Sequence, residues 1–316
     1  MSKVTIIGAG AVGSTIAYTM VVNGIASEIV MIDVNEEKAL GEAMDIRQGT
    51  PFCSPVSIYA GSYRDAVGSD IVIITSGVAR KPGQTRIDLA QTNVGIIKSI
   101  APNITKYAPN AIYILVANPV DILTYVFTKI SGLPERQVIG SGTILDTARL
   151  RARLSEYLRI SQKNVHAYVM GEHGDTSFIP WSMASVSSIP LDDYRKSIMG
   201  NEDIGLAPVF DREEIEHYMR TSGGKVIRRK GATFYAVSVS TCHIVKSILS
   251  DSDTLMTVSS MLHGEFGIDD VCLSLLSIVD RTGIKAKITP NLNPDEIAQL
   301  HHSADSLKSV ISQLDI

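Results

Sequence analysis

The hydrophobic pattern of the first 140 residues alternates short apolar runs with longer stretches of helical spacing. Apolar or β-branched runs of this length predict strands, whereas apolar positions three and four residues apart predict helices. Strands are predicted at 4–7, 28–32, 56–60, 71–75, 111–116 and 137–140, and helices at 16–21, 36–46, 88–107 and 121–130. The run at 71–75 is almost wholly apolar, as expected for a parallel strand covered on both faces. The alternation therefore predicts an α/β fold with a doubly wound parallel sheet.

The pattern changes beyond residue 145. Helices are predicted at 146–158 and 212–248 with breaks at Gly223 and Gly231, and strands at 165–169, near 181–189, at 255–262 and at 271–279. A turn is expected at 280–283, and Asn293 with Pro294 predicts the start of a last helix. We expect two domains, residues 1–142 and residues 143–316, the second an α+β domain packed directly on the first.

A glycine-rich turn follows the first predicted strand. Gly8, Gly10 and Gly13 have the G-x-G-x-x-G spacing, which permits a sharp turn, close approach of the backbone to a pyrophosphate, and tight packing of helix on strand. Asp33 ends the second strand, where a carboxylate suits the hydroxyls of an adenosine ribose and repels a 2′-phosphate. Together these features predict an NAD site. A βαβ unit without a ligand is the alternative.

Composition narrows the classes of protein. Of the 316 residues, 45% are hydrophobic and 20% charged, and the formal net charge is −4. These values indicate an ordinary globular protein without a basic surface for nucleic acid or an anionic membrane. Cys53, Cys242 and Cys272 are scattered and lack metal-ligand spacing. We expect buried thiols in a reducing cytoplasm and no metal site.

A histidine between glycines carries the candidate chemistry. In Gly171-Glu172-His173-Gly174-Asp175 the glycines leave the imidazole accessible, and histidine is the natural general acid or base near neutral pH. Asp146, at the start of a predicted helix, is placed to supply the carboxylate that such a histidine needs. Arg149 follows on the same helix face and suits bidentate binding of a substrate carboxylate. A structural histidine and an ordinary helix-start acid are the alternatives.

Two further segments end strands at the carboxyl edge of the predicted sheet. Residues 76–86 contain glycine, proline and the cations Arg80, Lys81 and Arg86, which predicts a mobile loop that closes over a ligand. A solvated basic loop is the alternative. Asn118 precedes Pro119, and we expect a cis peptide there, with the amide bonding a ribose or substrate oxygen.

The chain resembles the L-lactate/L-malate dehydrogenase family over nearly its whole length. The resemblance is carried by the motifs at 8–13, 117–121, 140–149 and 171–175. It implies a Rossmann NAD-binding domain followed by a catalytic domain. It also implies NAD as cofactor, held by Gly8, Gly10, Val12, Gly13, Asp33, Asn118 and Val237.

The same resemblance implies a mechanism. Arg149 would bind the carboxylate of a 2-oxo acid, and Thr233 would border the side chain of that substrate. His173, charged and paired with Asp146, would donate a proton to the ketone oxygen as hydride arrives from the nicotinamide. Arg86 would stabilise the negative charge that develops on this oxygen.

Two 2-oxo acids, pyruvate and oxaloacetate, fit different residues of the predicted substrate site. Glu172 and the segment Lys230-Gly231-Ala232-Thr233 are similar to the lactate branch of the family, which predicts pyruvate and lactate. Arg80, however, stands where lactate enzymes usually have glutamine and malate enzymes have arginine. An arginine there suits the second carboxylate of oxaloacetate, and we keep malate dehydrogenase as the alternative.

Arg151 and His166 match positions that bind fructose 1,6-bisphosphate between subunits of a tetramer in many bacterial lactate dehydrogenases. The resemblance therefore implies a homotetramer activated by this sugar phosphate. A surface arginine and a strand histidine are the alternative.

Two other classes of protein are alternatives for the chain as a whole. A non-catalytic NAD sensor would lose His173, Arg149 or Arg86, and Asp33 disfavours a reductase that uses NADP or flavin.

Overall fold

The computed structural model describes residues 2–79, 83, 85–197 and 211–316. Arg80 and Lys81 of the predicted closing loop lie outside these residues. The strands of the described part are β1 (Lys3–Ile7), β2 (Glu28–Ile32), β3 (Ser57–Ala60), β4 (Ile71–Ile74), β5 (Ile112–Leu115), β6 (Val138–Gly140), β7 (Val165–His166), β8 (Ser185–Val186), β9 (Ile189–Pro190), β10 (Thr254–Glu265), β11 (Ile268–Asp280) and β12 (Gly283–Lys287).

Helices cover both faces of the main sheet. The helices of the described part are α1 (Ala11–Val22), α2 (Glu36–Gln48), α3 (Arg86–Thr105), α4 (Val120–Ser131), α5 (Ile144–Leu158), α6 (Leu191–Ser197), α7 (Arg212–Lys230), α8 (Tyr235–Ser250) and α9 (Pro294–Ile311). The predicted start of the last helix is confirmed: Asn293 Oδ1 accepts from the Glu296 amide at 2.9 Å, and Glu296 Oε2 accepts from the Asn293 amide at 3.0 Å.

The first six strands form a parallel sheet in the order β3-β2-β1-β4-β5-β6. Thr5 of β1 lies opposite Val30 of β2 on one side and Val72 of β4 on the other. The chain therefore runs outward from β1 to β3 on one side, returns to β4 beside β1, and continues to β6 on the other side. A crevice opens at the carboxyl ends of β1 and β4, where this order reverses. The predicted doubly wound sheet is confirmed.

The second half of the chain extends this sheet. Ser259 of β10 lies opposite Gly140 of β6, and β10, β11 and β12 continue the sheet as antiparallel strands. The segments predicted at 255–262 and 271–279 are therefore strands, as expected. β12 was not predicted, because its two lysines interrupt any apolar run in five residues. A separate small sheet contains β7, β8 and β9.

Two predicted boundaries are wrong. Gly223 does not break the helix, because α7 runs through it to Lys230 and ends at Gly231 with a φ of 87°. Glycine in a helix interior costs only about 1 kcal/mol, and α7 is held on α5 by a shared apolar cluster that includes Leu154, Ile215 and Met219. The strand predicted at 165–169 ends at His166. Further along, Met170 pairs with Phe178 and Gly171 pairs with Ser274.

The core fills both faces of the sheet. Ile73 and Ile74 are neighbours on β4, yet Ile73 packs in one buried layer with Ile16 and Ile244, and Ile74 packs in the other with Phe127. Neighbouring strand residues point to opposite faces, so burial of both confirms that the sheet is covered on two sides. The carboxyl ends of its strands are thereby fixed in place.

We predict that Gly13→Ala lowers the free energy of unfolding by about 3 kcal/mol, because its Cβ would lie 1.8 Å from the Gly8 carbonyl oxygen in a packed region. Gly41→Ala is the matched control: no atom lies within 4 Å of the added Cβ, and alanine in mid-helix should add about 0.5–1 kcal/mol. Urea unfolding of both variants measures the difference. Equal midpoints would refute this packing argument.

Candidate active site

The glycine turn brings the backbone of β1 and α1 close together. Gly8 has a φ of 109°, which favours glycine, and its amide donates to the Ile32 carbonyl at 2.7 Å. Gly10 lies at the N-cap of α1 with an ordinary φ of −76°. An added Cβ on Gly10 would meet no protein atom within 4 Å. The open space at this helix N-terminus fits an anionic group such as a pyrophosphate.

Asp33 lies at the edge of the same turn, immediately after β2. Its Oδ2 accepts from the Ala9 amide at 2.6 Å, and its Oδ1 accepts from the Asn35 amide at 2.9 Å. Two backbone amides thus fix the carboxylate beside the turn. Asp33 follows β2 and Gly8 follows β1, and the two strands are neighbours in the sheet. The residues present fit NAD, which needs both a phosphate cradle and an acceptor for the ribose hydroxyls.

A cavity of about 230 Å³ opens at the carboxyl ends of β4 and β5 and reaches the second half of the chain. Segments far apart in the sequence line it. The predicted site residues on its wall are Val12, Asn118, Arg149, His173, Thr233 and Val237. The structure therefore brings together predicted cofactor and substrate residues in one space.

Asp146 connects the two polar groups of this cavity. Its Oδ2 lies 2.5 Å from His173 Nδ1, and its Oδ1 accepts from Arg149 Nη1 at 2.8 Å. Pairing through Nδ1 leaves Nε2, which no hydrogen bond among the described residues occupies, as the nitrogen available to a substrate. The guanidinium of Arg149 lies on the same wall, so both groups are oriented by one carboxylate.

The electrostatics of this group favour a charged histidine. The negative charge of Asp146 raises the pKa of His173 to about 9, even though burial alone would lower it. Burial alone would raise the pKa of Asp146, but the positive charges of His173 and Arg149 outweigh burial and lower it. At neutral pH the pair is therefore an imidazolium and a carboxylate.

The loop that carries His173 is pinned on both sides. Gly171, with a φ of 87°, exchanges backbone hydrogen bonds with Ser274 of β11, and Met170 does so with Phe178. Thr143, directly before α5, donates through its hydroxyl to the Val169 carbonyl at 2.6 Å. The segment after β7 is thus held against the elements that carry Asp146.

Asn118 lies three residues after the end of β5 and forms a cis peptide with Pro119, as predicted. Asn93 of α3 was missed by the sequence reasoning, although it lies on the buried face between Ala90 and Val94. Its amide donates to the Asn118 carbonyl at 2.6 Å and its oxygen accepts from the Val78 amide at 2.9 Å. Asn93 therefore ties the ends of β4 and β5 together at the cavity.

Arg86 does not line the cavity in this structure. It begins α3 and forms an ion pair with Asp175 of the histidine loop. Both side chains are 68% exposed, so the pair adds little to stability, about 0–1 kcal/mol. The structure brings Arg86 beside the loop of His173 without directing it into the cavity.

Arg151 and His166 lie outside this cavity. Arg151 Nε donates to the Ala167 carbonyl at 3.0 Å, and its guanidinium stacks 5.0 Å from the ring centroid of Tyr168. His166 is exposed on β7, next to Ala167. The two residues are therefore near each other, on a face separate from the cavity lined by Arg149 and His173.

Neither a metal site nor a membrane span is found in the described ranges. They contain no group of three or more His, Cys, Asp or Glu side chains arranged to hold a metal ion. Across the same ranges, every helix is too short or too polar to cross a membrane.

Fold and site together define an NAD-dependent oxidoreductase. Residues 2–140 match the family described as lactate/malate dehydrogenase, NAD binding domain, and residues 143–315 match lactate/malate dehydrogenase, alpha/beta C-terminal domain. The chain belongs to the lactate/malate dehydrogenase family.

Full-length relatives agree with this assignment. An L-lactate dehydrogenase of Acetivibrio thermocellus is 47% identical over 316 residues, which cover 100% of this chain and 98% of the relative. Among solved structures, a minor L-lactate dehydrogenase from Enterococcus mundtii matches with a TM-score of 0.93 and 38% identity, covering 100% and 99% of the two chains. A lactate dehydrogenase from a Medee basin deep-sea metagenome library matches with a TM-score of 0.93 and 39% identity, covering 98% of each.

We predict that Gly10→Ala weakens NADH binding at least about tenfold, since its methyl group would occupy the space beside the N-terminus of α1. The fold should tolerate the change, with an N-cap cost of about 1 kcal/mol or less. Fluorescence titration with NADH and thermal unfolding measure the two effects. Wild-type affinity for NADH would contradict the placement of the pyrophosphate.

Proposed function

We propose that the chain reduces pyruvate to L-lactate with NADH, reversibly. The observation that carries this proposal is the Asp146 carboxylate that joins His173 and Arg149 on the wall of one cavity. That arrangement offers a proton donor and a carboxylate-binding group to one small 2-oxo acid. The relatives reported above are named lactate dehydrogenases, and none of them supports the malate alternative.

Arg149 binds the substrate carboxylate in this proposal. Its Nη1 is held by Asp146, and Gly223 of α7 would place a Cβ 3.5 Å from its Nη2. The side chain is thus confined between α5 and α7, with Thr233 on the same cavity wall. A planar guanidinium held in this way fixes the direction from which the carboxylate enters.

His173 donates the proton to the ketone oxygen. Because its pKa is raised to about 9, the proton is in place at neutral pH before the substrate binds. As the oxygen gains negative charge, Nε2 gives up this proton while Asp146 keeps Nδ1 protonated and the ring oriented. In lactate oxidation the neutral histidine accepts the proton instead.

Arg86 supports the same oxygen once it leaves Asp175. The exposed ion pair is weak, so a substrate with a developing oxyanion competes with it effectively. Closure of residues 76–86 over the substrate, with Arg80 and Arg86, stays part of the proposal.

When bound, NADH would donate the hydride in pyruvate reduction, and NAD would accept it in lactate oxidation. The residues proposed to hold the cofactor are Gly8, Gly10, Val12, Gly13, Asp33, Asn118 and Val237. Asp33 gives the preference for NAD, because its fixed carboxylate would repel a 2′-phosphate.

We predict that wild-type enzyme prefers pyruvate but reduces oxaloacetate measurably, since Arg80 can pair with the second carboxylate. In Arg80→Gln, kcat/KM for oxaloacetate should fall at least about tenfold, the loss of one charge-assisted bond, with kcat/KM for pyruvate unchanged or higher. Steady-state kinetics with both acids test this.

Lys81→Gln is the matched control for that experiment, because it removes a neighbouring cation from the same loop. It should change both kcat/KM values by less than about twofold. An oxaloacetate preference in the wild type would make malate dehydrogenase the correct assignment.

The proposed enzyme is a cytoplasmic homotetramer. Exposed apolar side chains on adjacent helices support self-association: Tyr18 and Val22 on α1, and Tyr235 and Val239 on α8. The absence of disulfides among Cys53, Cys242 and Cys272 supports a reducing compartment. The proposed domain boundary lies at residues 142 and 143, between β6 and α5.

Activation by fructose 1,6-bisphosphate through Arg151 and His166 is also proposed. We predict that this sugar phosphate lowers the half-saturating pyruvate concentration at least about threefold, and that Arg151→Gln abolishes the shift. Lys106→Gln, an exposed cation at the end of α3, serves as control. Sedimentation velocity in the same titration reports the oligomeric state. A half-saturation that does not respond to the sugar phosphate would exclude this regulation.

A further inference from the structure

A second buried carboxylate lies at the histidine loop. Asp121 is in the first turn of α4 and is 2% exposed. Its Oδ2 accepts from the backbone amide of His173 at 2.7 Å. Its Oδ1 has no well-formed hydrogen bond among the described residues. Within the motif 117–121 a role was predicted for Asn118 but none for Asp121.

We propose that Asp121 is a positioning residue for His173, which anchors the histidine backbone and places a second negative charge near its imidazole. This inference rests on the proposed function of His173 as the proton donor. Asp146 then orients the ring from α5, and Asp121 holds the loop from α4.

If Asp121 served only as an anchor, an asparagine side chain in its place would do so at a lower cost in folding free energy. A neutral asparagine accepts the same backbone hydrogen bond without burying a charge. Burial raises the pKa of Asp121 to about 6, although the Ser259 hydroxyl and the His173 amide act to lower it. The group is therefore ionised at neutral pH at the expense of stability, and its charge acts on His173 to raise the histidine pKa.

Other charged groups lie around the same imidazole or on its loop. Asp146 and Arg149 face it from α5, and Glu172 and Asp175 lie on its own loop, with Arg86 of α3 paired to Asp175. Cys272 of β11 faces Asp121, and burial keeps that thiol neutral by raising its pKa. Asp146 has the largest effect on His173, so Asp121 adjusts a histidine that Asp146 already holds charged.

The experiment measures His173 in the protein without NADH. Diethyl pyrocarbonate acylates an imidazole only when the imidazole is neutral. Mass spectrometry measures the acylation rate at His173 between pH 6 and 10, with N-acetylhistidine as the reference for the reactivity of the reagent. The dependence of this rate on pH gives the apparent pKa of His173. Asp121→Asn keeps an acceptor for the His173 amide and removes the charge. We expect it to lower the midpoint by at least about 0.5 pH unit, and Asp146→Asn to lower it further.

Asp280→Asn is the matched control, because Asp280 is also a buried carboxylate that accepts a backbone amide, that of Thr282 at 2.7 Å, at the far end of β11. Its midpoint should equal that of the wild type. An Asp121→Asn midpoint equal to that of Asp280→Asn would overturn the proposal.

Stability against pH gives a second readout. The folded-state pKa of Asp121, about 6, lies above the unfolded value of about 4, so its favourable contribution is complete below pH 4 and is lost as pH rises through 6. Asp121→Asn should therefore gain stability relative to the wild type between pH 4 and pH 7. A constant difference across this range would mean that Asp121 is not a buried charge, and would overturn the proposal.

Asp121→Glu separates the charge from the anchor. It keeps the charge but displaces the carboxylate, so the midpoint should stay near that of the wild type while kcat for pyruvate falls at least about fivefold. A kcat at the wild-type level would refute the anchoring role. If the wild type fails to reduce pyruvate but the midpoint shifts in Asp121→Asn, the proposed function falls, whereas the influence of Asp121 on His173 stands.

Discussion

The shared carboxylate of Asp146 is the interaction on which the site depends. It takes one hydrogen bond from Arg149 and lies 2.5 Å from the ring nitrogen of His173, and only 7% of its side chain is exposed. A buried carboxylate with one cation would orient one group. With two cations it fixes the geometry of both and compensates its own burial. The pKa values of Asp146 and His173 follow from this one arrangement.

The fold supplies the rigidity that this arrangement requires. Asp146 lies in the first turn of α5, which begins four residues after the last parallel strand. The histidine loop is held by β11 through Gly171 and Ser274. Because β10 and β11 belong to the same sheet as β1 to β6, the glycine turn and the Asp146–His173 pair share one scaffold. Catalytic groups on rigid elements keep their distances without help from the substrate.

The sequence was most informative where a local pattern has one physical meaning. The glycine turn, Asp33 and the histidine between glycines could be read in this way, since turn chemistry and charge are local properties. Asp121 and Asn93 could not, because their roles come from contacts 52 and 25 residues away along the chain. The error at Gly223 has the same origin: propensity suggests a break, whereas packing on α5 decides. The predicted roles of Arg80 and Arg86 stay predictions.

The pairing of β10 with β6 has a consequence for motion. Two domains joined only by a linker can move apart by a hinge motion to admit a ligand. Here the main-chain hydrogen bonds of one continuous sheet connect the first half of the chain to the second half. Bending at that seam would break sheet hydrogen bonds and expose core residues on both faces. Opening for a ligand therefore falls to segments outside the sheet, while the glycine turn after β1 and the Asp146–His173 pair keep their spacing.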